Sequence, residues 1–205
     1  MPPQIASDQG SQPLPKDSDW LLPFLSLLSD RGRRVIDIGC GPGIDAATLG
    51  AAGFEVTAFD RAPLQRAREV APDARFLRAT LARSFPFRDG SFDAAVSSLA
   101  LHYQPWAATR ETFAEVRRVL APGGRLLFRV NATDDVHHGA GEGERLERGF
   151  YHTPSPYFSE TKRFFDEEMV RAALDGFFEV EQLEHKTIHR YENPKRVWEC
   201  LARRR

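Results

Sequence analysis

Short apolar runs alternate with longer amphipathic stretches along most of the chain. Arg33–Ile38, Phe54–Phe59, Arg75–Leu77, Phe92–Ser97 and Arg125–Val130 have the length and the β-branched or aromatic content of strands. Between them Ile44–Ala52, Leu64–Val70 and Trp106–Leu120 carry apolar residues at helical spacing, as at Phe113, Val116, Val119 and Leu120 in the last. Pro122-Gly123-Gly124 is expected to stop that helix and turn the chain into the fifth strand. Upstream, Asp17–Ser29 places Trp20, Leu21, Phe24, Leu25, Leu27 and Leu28 on a helix capped by Asp17 or Ser18, with Pro23 tolerable only in its first turn. Downstream, Asp166–Leu174 is predicted helical, and Phe177–Ile188 and Arg196–Ala202 are predicted strands. Such βαβ alternation predicts an α/β fold: a doubly wound, mostly parallel sheet with helices on both faces, in three αβα layers.

Two stretches fall outside this rhythm. Residues 1–16, rich in Pro, Gln and Ser, are expected to be a disordered tail. Residues 131–165 mix glycines, histidines and aromatics without a period, and a connection that long inside a compact domain is usually a lid or substrate-binding insertion. The remainder, 17–205, is expected to form a single domain. A net charge of −1 supplies no global field to attract nucleic acid or an anionic membrane. The two cysteines, Cys40 and Cys200, make no disulfide framework, and no run approaches the ~20 apolar residues of a membrane span, so the cytoplasm is the expected location.

The most informative segment is Val35-Ile36-Asp37-Ile38-Gly39-Cys40-Gly41-Pro42-Gly43. An apolar strand runs into glycines at every second position, where the backbone can turn sharply and a ligand can approach without meeting a Cβ. Dinucleotide sites space these glycines G-x-G-x-x-G to seat a pyrophosphate, and here the third comes one residue early, which disfavours a nicotinamide-dependent oxidoreductase. The G-x-x-x-x-G-K-[ST] triphosphate cradle is also missing from the sequence, so the loop suits a nucleoside without phosphates. Asp37 near the strand end needs a cation or several donors, and loop amides alone would serve as well as a cationic ligand. Asp60 ends the second strand, in the same crevice, where it can accept from ribose hydroxyls or cap the next helix.

From Arg33 to Val130 the chain resembles the class I S-adenosylmethionine-dependent methyltransferases of small-molecule type. Val35–Gly43 is similar to that family's first motif, and Asp60 to its ribose-binding acid. Ser84-Phe85-Pro86-Phe87-Arg88-Asp89-Gly90-Ser91-Phe92-Asp93 resembles the approach to its fourth strand, and Ser97-Ser98-Leu99-Ala100-Leu101-His102-Tyr103 the segment beyond it. Glu115-Val116-Arg117-Arg118-Val119-Leu120-Ala121-Pro122-Gly123-Gly124 resembles the helix and turn before its fifth strand. The resemblance implies a Rossmann-like, seven-stranded, mostly parallel sheet with an antiparallel last strand. It implies S-adenosyl-L-methionine as cofactor, held by Asp37, Gly39, Cys40, Gly41, Gly43, Asp60, Arg61, Thr80, Leu81 and Ser98. One departure stands out: where many relatives carry an adenine-reading Asp, this chain has Arg78-Ala79-Thr80-Leu81-Ala82.

Methyl transfer from a sulfonium is an in-line displacement, so a protein mainly aligns the partners and excludes water. A base is required only when the acceptor must lose a proton. His102, after the fourth strand, is the candidate catalytic base, with packing or helix capping as its alternative. Tyr103, Tyr151, Lys162 and Arg163 are candidate substrate contacts, with Tyr157, Phe158, Phe164 and Phe165 as further cover over the acceptor. His137 and His138 with Glu142 and Glu144 are poorly spaced for a preformed chelate, and no metal is expected. The segment after the fourth strand lacks an Asn/Asp-Pro-Pro-Tyr motif, and no cysteine is placed for cytosine chemistry, so a small-molecule acceptor is favoured over nucleic acid. The alternatives are a methyltransferase acting on protein or RNA, and a non-catalytic S-adenosylmethionine-binding module.

Overall fold

The computed structural model describes residues 18–154, 159–189 and 191–205. The expected tail, the Asp17 cap, Tyr157 and Phe158 lie outside the described residues. The chain opens with a 3-10 segment, Ser18–Phe24, and a single α-turn, α1 (Leu25–Leu28). The uninterrupted helix expected over Asp17–Ser29 does not form, because Pro23 inside the segment has no N–H to continue the ladder.

The strands of the main sheet are β1 (Arg34–Ile38), β2 (Glu55–Asp60), β3 (Arg75–Arg78), β4 (Phe92–Ser98), β5 (Leu120–Asn131), β9 (Phe178–Ile188) and β10 (Lys195–Arg204). They form a seven-stranded sheet in the order β3-β2-β1-β4-β5-β10-β9. β1 pairs in parallel with β2 and β4, β2 with β3, and β4 with β5, whereas β10 runs antiparallel to both its neighbours. The crossover helices are α2 (Ile44–Ala51), α3 (Gln65–Val70) and α4 (Trp106–Val119), and α5 (Glu167–Leu174) precedes β9. Among the described residues no helix is long and apolar enough to cross a membrane.

Side-chain alternation on the central strands divides the core into two layers. Ile36, Ile38, Ala95, Leu126 and Phe128 join Phe113, Val116 and Val170 on one face. Val35, Ala94, Val96 and Leu127 join Leu21, Leu28, Leu49 and Ala67 on the other. At the N-terminal edge Asp93 accepts from Arg34 N at 3.0 Å and Nη2 at 2.6 Å, and the Arg34 hydrogen bonds hold its carboxyl below the usual range. The opposite edge is thereby left for the loops that follow β1, β2 and β4.

The long connection departs most from expectation. Glu144–Glu147 (β6), Phe150–Pro154 (β7) and Ser159–Arg163 (β8) form a separate antiparallel sheet in the order β6-β7-β8. Gly149 turns β6 into β7 at φ +69°, and a Cβ there would meet Phe164 O at 2.4 Å. Arg163 N donates to His102 O at 2.7 Å and Phe165 N to Asn131 O at 2.8 Å, which ties this small sheet to the loop after β4 and the end of β5. β5 is also longer than predicted: Phe92 pairs with Leu120 and Ala94 with Arg125, so Pro122-Gly123-Gly124 forms a bulge inside the strand rather than a turn before it.

Candidate functional site

The end of β1 turns through three glycines with left-handed backbones, Gly39 at φ +74°, Gly41 at +49° and Gly43 at +84°. Gly39 and Cys40 both donate N–H to Phe59 O, at 2.9 and 3.1 Å, fastening the turn to β2. A Cβ on Gly39 would lie 2.2 Å from Ala100 Cβ, so this glycine lets β1 touch the loop after β4. A Cβ on Gly41 would meet nothing within 4 Å. Asp60 closes the arrangement: Oδ2 accepts from Gly41 N at 2.9 Å and Oδ1 from Ala62 N at 2.8 Å. Each oxygen retains a lone pair beyond these amides.

Above the turn lies a cavity of about 540 Å³, within the range of small-ligand sites. Of the residues singled out from sequence, Gly39, Gly41, Asp60, Arg61, Thr80, Leu81, Ser98 and Tyr103 line it. The Thr80 hydroxyl accepts from Ala82 N at 3.3 Å and keeps its own proton to donate. Two of the expected ligand contacts, Cys40 and Gly43, are not on the wall of this cavity. Cys40 is buried in the core layer of Val35 and Leu49, where burial pushes its thiol far above the ordinary range. Gly43 caps α2, and a Cβ there would come within 3.0 Å of the Ala67 backbone of α3.

Asp37 is not on the cavity wall; it sits behind the turn, 1% exposed, with Oδ2 buried and unpartnered. Burial above all, then the charges of Asp45 and Asp60, raise its pKa well above the usual carboxylate range, against a hydrogen bond from Ala46 N. A carboxylate so placed calls for a cation. Its surroundings include a group that sequence reasoning missed. Trp20 donates Nε1–H to Asp45 at 3.1 Å, the Arg129 guanidinium lies 4.2 Å from the Trp20 ring centroid, and Arg129 Nη2 donates to Ser98 Oγ at 2.7 Å. Trp20 was visible only as an apolar helix position, and Arg129 only as part of β5. Leu99 was missed as well: it is the one described non-glycine residue with positive φ, +57°, at the rim of the cavity.

A second cavity of about 290 Å³ adjoins the first and shares Ser98, Leu99 and Tyr103 with it. His102 lines this one, not the first. It is 2% exposed, its ring is tilted 45° to that of Tyr103 with the centroids 4.2 Å apart, and its Nδ1 is buried without a partner. Burial first, then the ammonium charges of Lys195 and Lys162, push its pKa well below 6.5, so the imidazole is neutral near pH 7. Asn131, Tyr191, Lys162, Lys195 and His138 complete the wall. Tyr191 and Lys195 stand at the Tyr-x-x-x-Lys spacing of some oxidoreductases, but here Lys195 Nζ donates to the buried Asp135 at 2.7 Å.

The four residues read as substrate contacts separate. Tyr103 and Lys162 line the second cavity, whereas Tyr151 lines neither and packs edge-on against Phe164. Arg163 is a correction. It is 1% exposed, paired with Glu147, donating to Arg148 O at 2.8 Å and placed between the Trp106 and Phe150 rings. Neighbouring strand residues point to opposite faces, so Lys162 and Arg163 could not both meet one ligand. The histidine pair also divides: His138 Nδ1 contacts Asp135 at 2.8 Å, whereas His137 is exposed. Among the described residues no group of three or more His, Cys, Asp and Glu is placed to hold a metal ion.

Residues 36–128 match the family model described as a methyltransferase domain. An uncharacterized methyltransferase of Synechocystis sp. is 36% identical over 118 residues, covering 57% of this chain and 53% of that protein. A demethylmenaquinone methyltransferase of Thermus thermophilus is 40% identical over 103 residues, 46% of each chain. The chain thus spans about half the length of the curated relatives it matches. Among solved structures, an S-adenosylmethionine-dependent methyltransferase from Methanosarcina mazei superposes with TM-score 0.74 at 22% identity, over 89% of this chain and 97% of that one, which shows a shared fold. Residues 36–128, which carry the glycine turn and the acid ending β2, are thus similar to a methyltransferase domain, and the strand order belongs to a fold shared with the Methanosarcina mazei protein.

Proposed function

We propose that the protein transfers the methyl group of S-adenosyl-L-methionine to a small-molecule acceptor. The observation that carries this reading is the pair of adjoining cavities, about 540 and 290 Å³, meeting at Ser98, Leu99 and Tyr103. The larger has the volume and the phosphate-free glycine turn for a nucleoside; the smaller admits only a compact partner. The cofactor, when bound, supplies an activated methyl on a sulfonium. In this reading the remaining lone pairs of Asp60 receive the ribose hydroxyls, and Thr80 and Leu81 face the adenine. The orphaned Asp37 carboxylate offsets cationic charge from behind the turn.

His102 is the proton acceptor in this scheme. A neutral imidazole has the right form for the task near pH 7, but a depressed pKa makes it a weak base, so it suits acceptors with a fairly acidic O–H or N–H. In this scheme the described residues of the stretch between β5 and α5 cover the acceptor and keep water from the methyl group. The acceptor named for the Thermus thermophilus relative, demethylmenaquinone, is itself a small molecule.

The test has two steps. Calorimetry on the purified protein is expected to show binding of S-adenosylmethionine and S-adenosylhomocysteine and none of NADH. A metabolite-library screen is then expected to show release of S-adenosylhomocysteine with a small-molecule acceptor. Tight NADH binding, or no response to S-adenosylmethionine at millimolar concentration, would overturn the reading.

A further inference from the structure

We infer that the Arg163–Glu147 ion pair is a positioning device for the methyl-transfer site, holding the loop after β4, residues 99–105, in the shape that the two cavities share. The inference rests on the methyltransferase reading above. It adds two residues that line neither cavity yet set a wall of both.

The loop needs support from outside. It carries Leu99 and Tyr103, which line both cavities, and Gln104, which lines the larger. It also enters α4 without a cap of its own: Pro105 stands at the N-cap and makes no side-chain cap, and the first turn holds no acidic residue. From α4 itself, support reaches Gln104, whose carbonyl accepts from Thr109 Oγ1 at 3.2 Å and whose Oε1 accepts from Thr112 Oγ1 at 3.1 Å.

The small β6–β8 sheet grips the same segment at every second residue. Arg163 N donates to His102 O at 2.7 Å, Arg163 Nη2 reaches Gln104 O at 3.4 Å, and Glu147 Oε2 accepts from Trp106 N at 2.8 Å. The carboxylate at the end of β6 thereby provides the cap that α4 lacks, where the helix dipole favours an anion. The same Oε2 is paired with Arg163 Nη2, and Nη1 donates to Arg148 O at 2.8 Å. One guanidinium thus fastens the turn after β6, the loop and the cap together. It lies between the rings of Trp106 and Phe150, 5.4 and 4.8 Å from their centroids.

Energy separates this arrangement from plain packing. The buried Arg163 guanidinium costs desolvation that an apolar pair of similar volume would avoid, so stability alone does not favour it. What the pair provides, and apolar side chains do not, is direction: bonds that fix the small sheet against the loop in one register. Tyr103, between the gripped His102 and Gln104, is thereby set at the junction of the cavities.

The test uses the full chain well below its melting point, with S-adenosylhomocysteine affinity by calorimetry and amide hydrogen exchange as readouts. Glu147→Ala is expected to bind S-adenosylhomocysteine about tenfold more weakly and to speed exchange over residues 99–106. Glu147→Gln, which keeps an oxygen for Trp106 N, is expected to return affinity to within about threefold of the unaltered protein. Arg163→Met is expected to match Glu147→Ala in affinity; if it does not fold, Glu147→Ala, at the part-exposed member of the pair, decides alone. A Glu147→Ala protein that binds within about twofold of the unaltered one overturns the inference and leaves the pair as packing. So does exchange that rises evenly across the main sheet and no faster over 99–106. Failure of the unaltered protein to bind S-adenosylhomocysteine would be a different result, bringing down the methyltransferase reading and this inference with it.

Discussion

The two cavities are built in opposite ways. The larger is made by the backbone: a glycine turn, strand ends adjacent in the sheet, and a carboxylate that binds the turn's own amide. The smaller is made by side chains from β5, β8, β10 and the loop after β4, brought together only by the tertiary fold. A wall of backbone tolerates little change in conformation but much in chemistry. A wall of side chains tolerates the reverse. This contrast suits the proposed function, in which the cofactor is common to methyltransferases and the acceptor is particular to this protein.

The sharpest way to break the comparison is at Gly39. Replacing it with Val puts a Cβ 2.2 Å from Ala100 Cβ and forces a β-branched residue to φ +74°. Overpacking and left-handed strain together are expected to cost about 3 kcal/mol or more, seen as a large fall in Tm and loss of S-adenosylmethionine binding. A well-folded Gly39→Val that binds the cofactor normally would mean that the turn does not shape the cavity.

This division also explains what was legible. Strand alternation, the crossover helices and the glycine turn depend on neighbours in sequence, and a period or a residue type announces them. The wall of the first cavity was therefore largely readable, down to Asp60 and Thr80. Cys40 and Gly43 fall outside that wall because spacing shows which residues flank a turn, not which side faces the cavity. The β6–β8 sheet was missed because its strands are short and Gly-rich sequence masks alternation. Arg163 was misread for another reason: its burial depends on Trp106 and Glu147, which nothing local to β8 reveals.

Next in size is the effect expected at His102. His102→Gln keeps a polar side chain of similar reach but removes a proton acceptor, and turnover is expected to fall about 100-fold with cofactor affinity unchanged. A change under about threefold would reduce His102 to packing. The pH profile sharpens the point. Because its folded pKa lies below 6.5, the neutral imidazole persists on the acid side of neutrality, so kcat/KM is expected to stay level down through pH 6.5 and fall only below it. The His102 contribution to stability has the same sense: it is fully present above 6.5 and is lost as pH falls from there through the folded pKa. An activity midpoint at or above 6.5 would assign the profile to another group.

Asp60 comes third, and it tests the backbone-built cavity without distorting it. Asp60→Ala removes the acceptor proposed for the ribose and releases the N–H groups of Gly41 and Ala62. S-Adenosylmethionine affinity is expected to fall by roughly 1.5–3 kcal/mol, the scale of lost charge-assisted hydrogen bonds, with a much smaller change in Tm. Calorimetry checks the first and a melting curve the second. Undiminished affinity would take Asp60 out of the site and leave it only as the clasp of the turn.

The smallest effect is the most telling, because its two parts have opposite signs. Asp37 is buried with one oxygen unpartnered and two carboxylates nearby, an arrangement that destabilises the ligand-free protein whenever the group is ionised. Because its folded pKa is raised, its favourable contribution is present at low pH and is lost as pH rises through that folded value. Asp37→Asn keeps the shape and an oxygen for the Ala46 N–H, and supplies a donor toward the neighbouring acids. The ligand-free variant is therefore expected to be more stable at pH 7 by about 1 kcal/mol, raising Tm by about 2–4 °C, while its affinity for cationic S-adenosylmethionine falls. Gain in stability with loss of binding is the mark of a charge kept for a ligand, at the expense of the fold. A variant that loses both would make Asp37 a structural acid, satisfied by contacts within the protein alone.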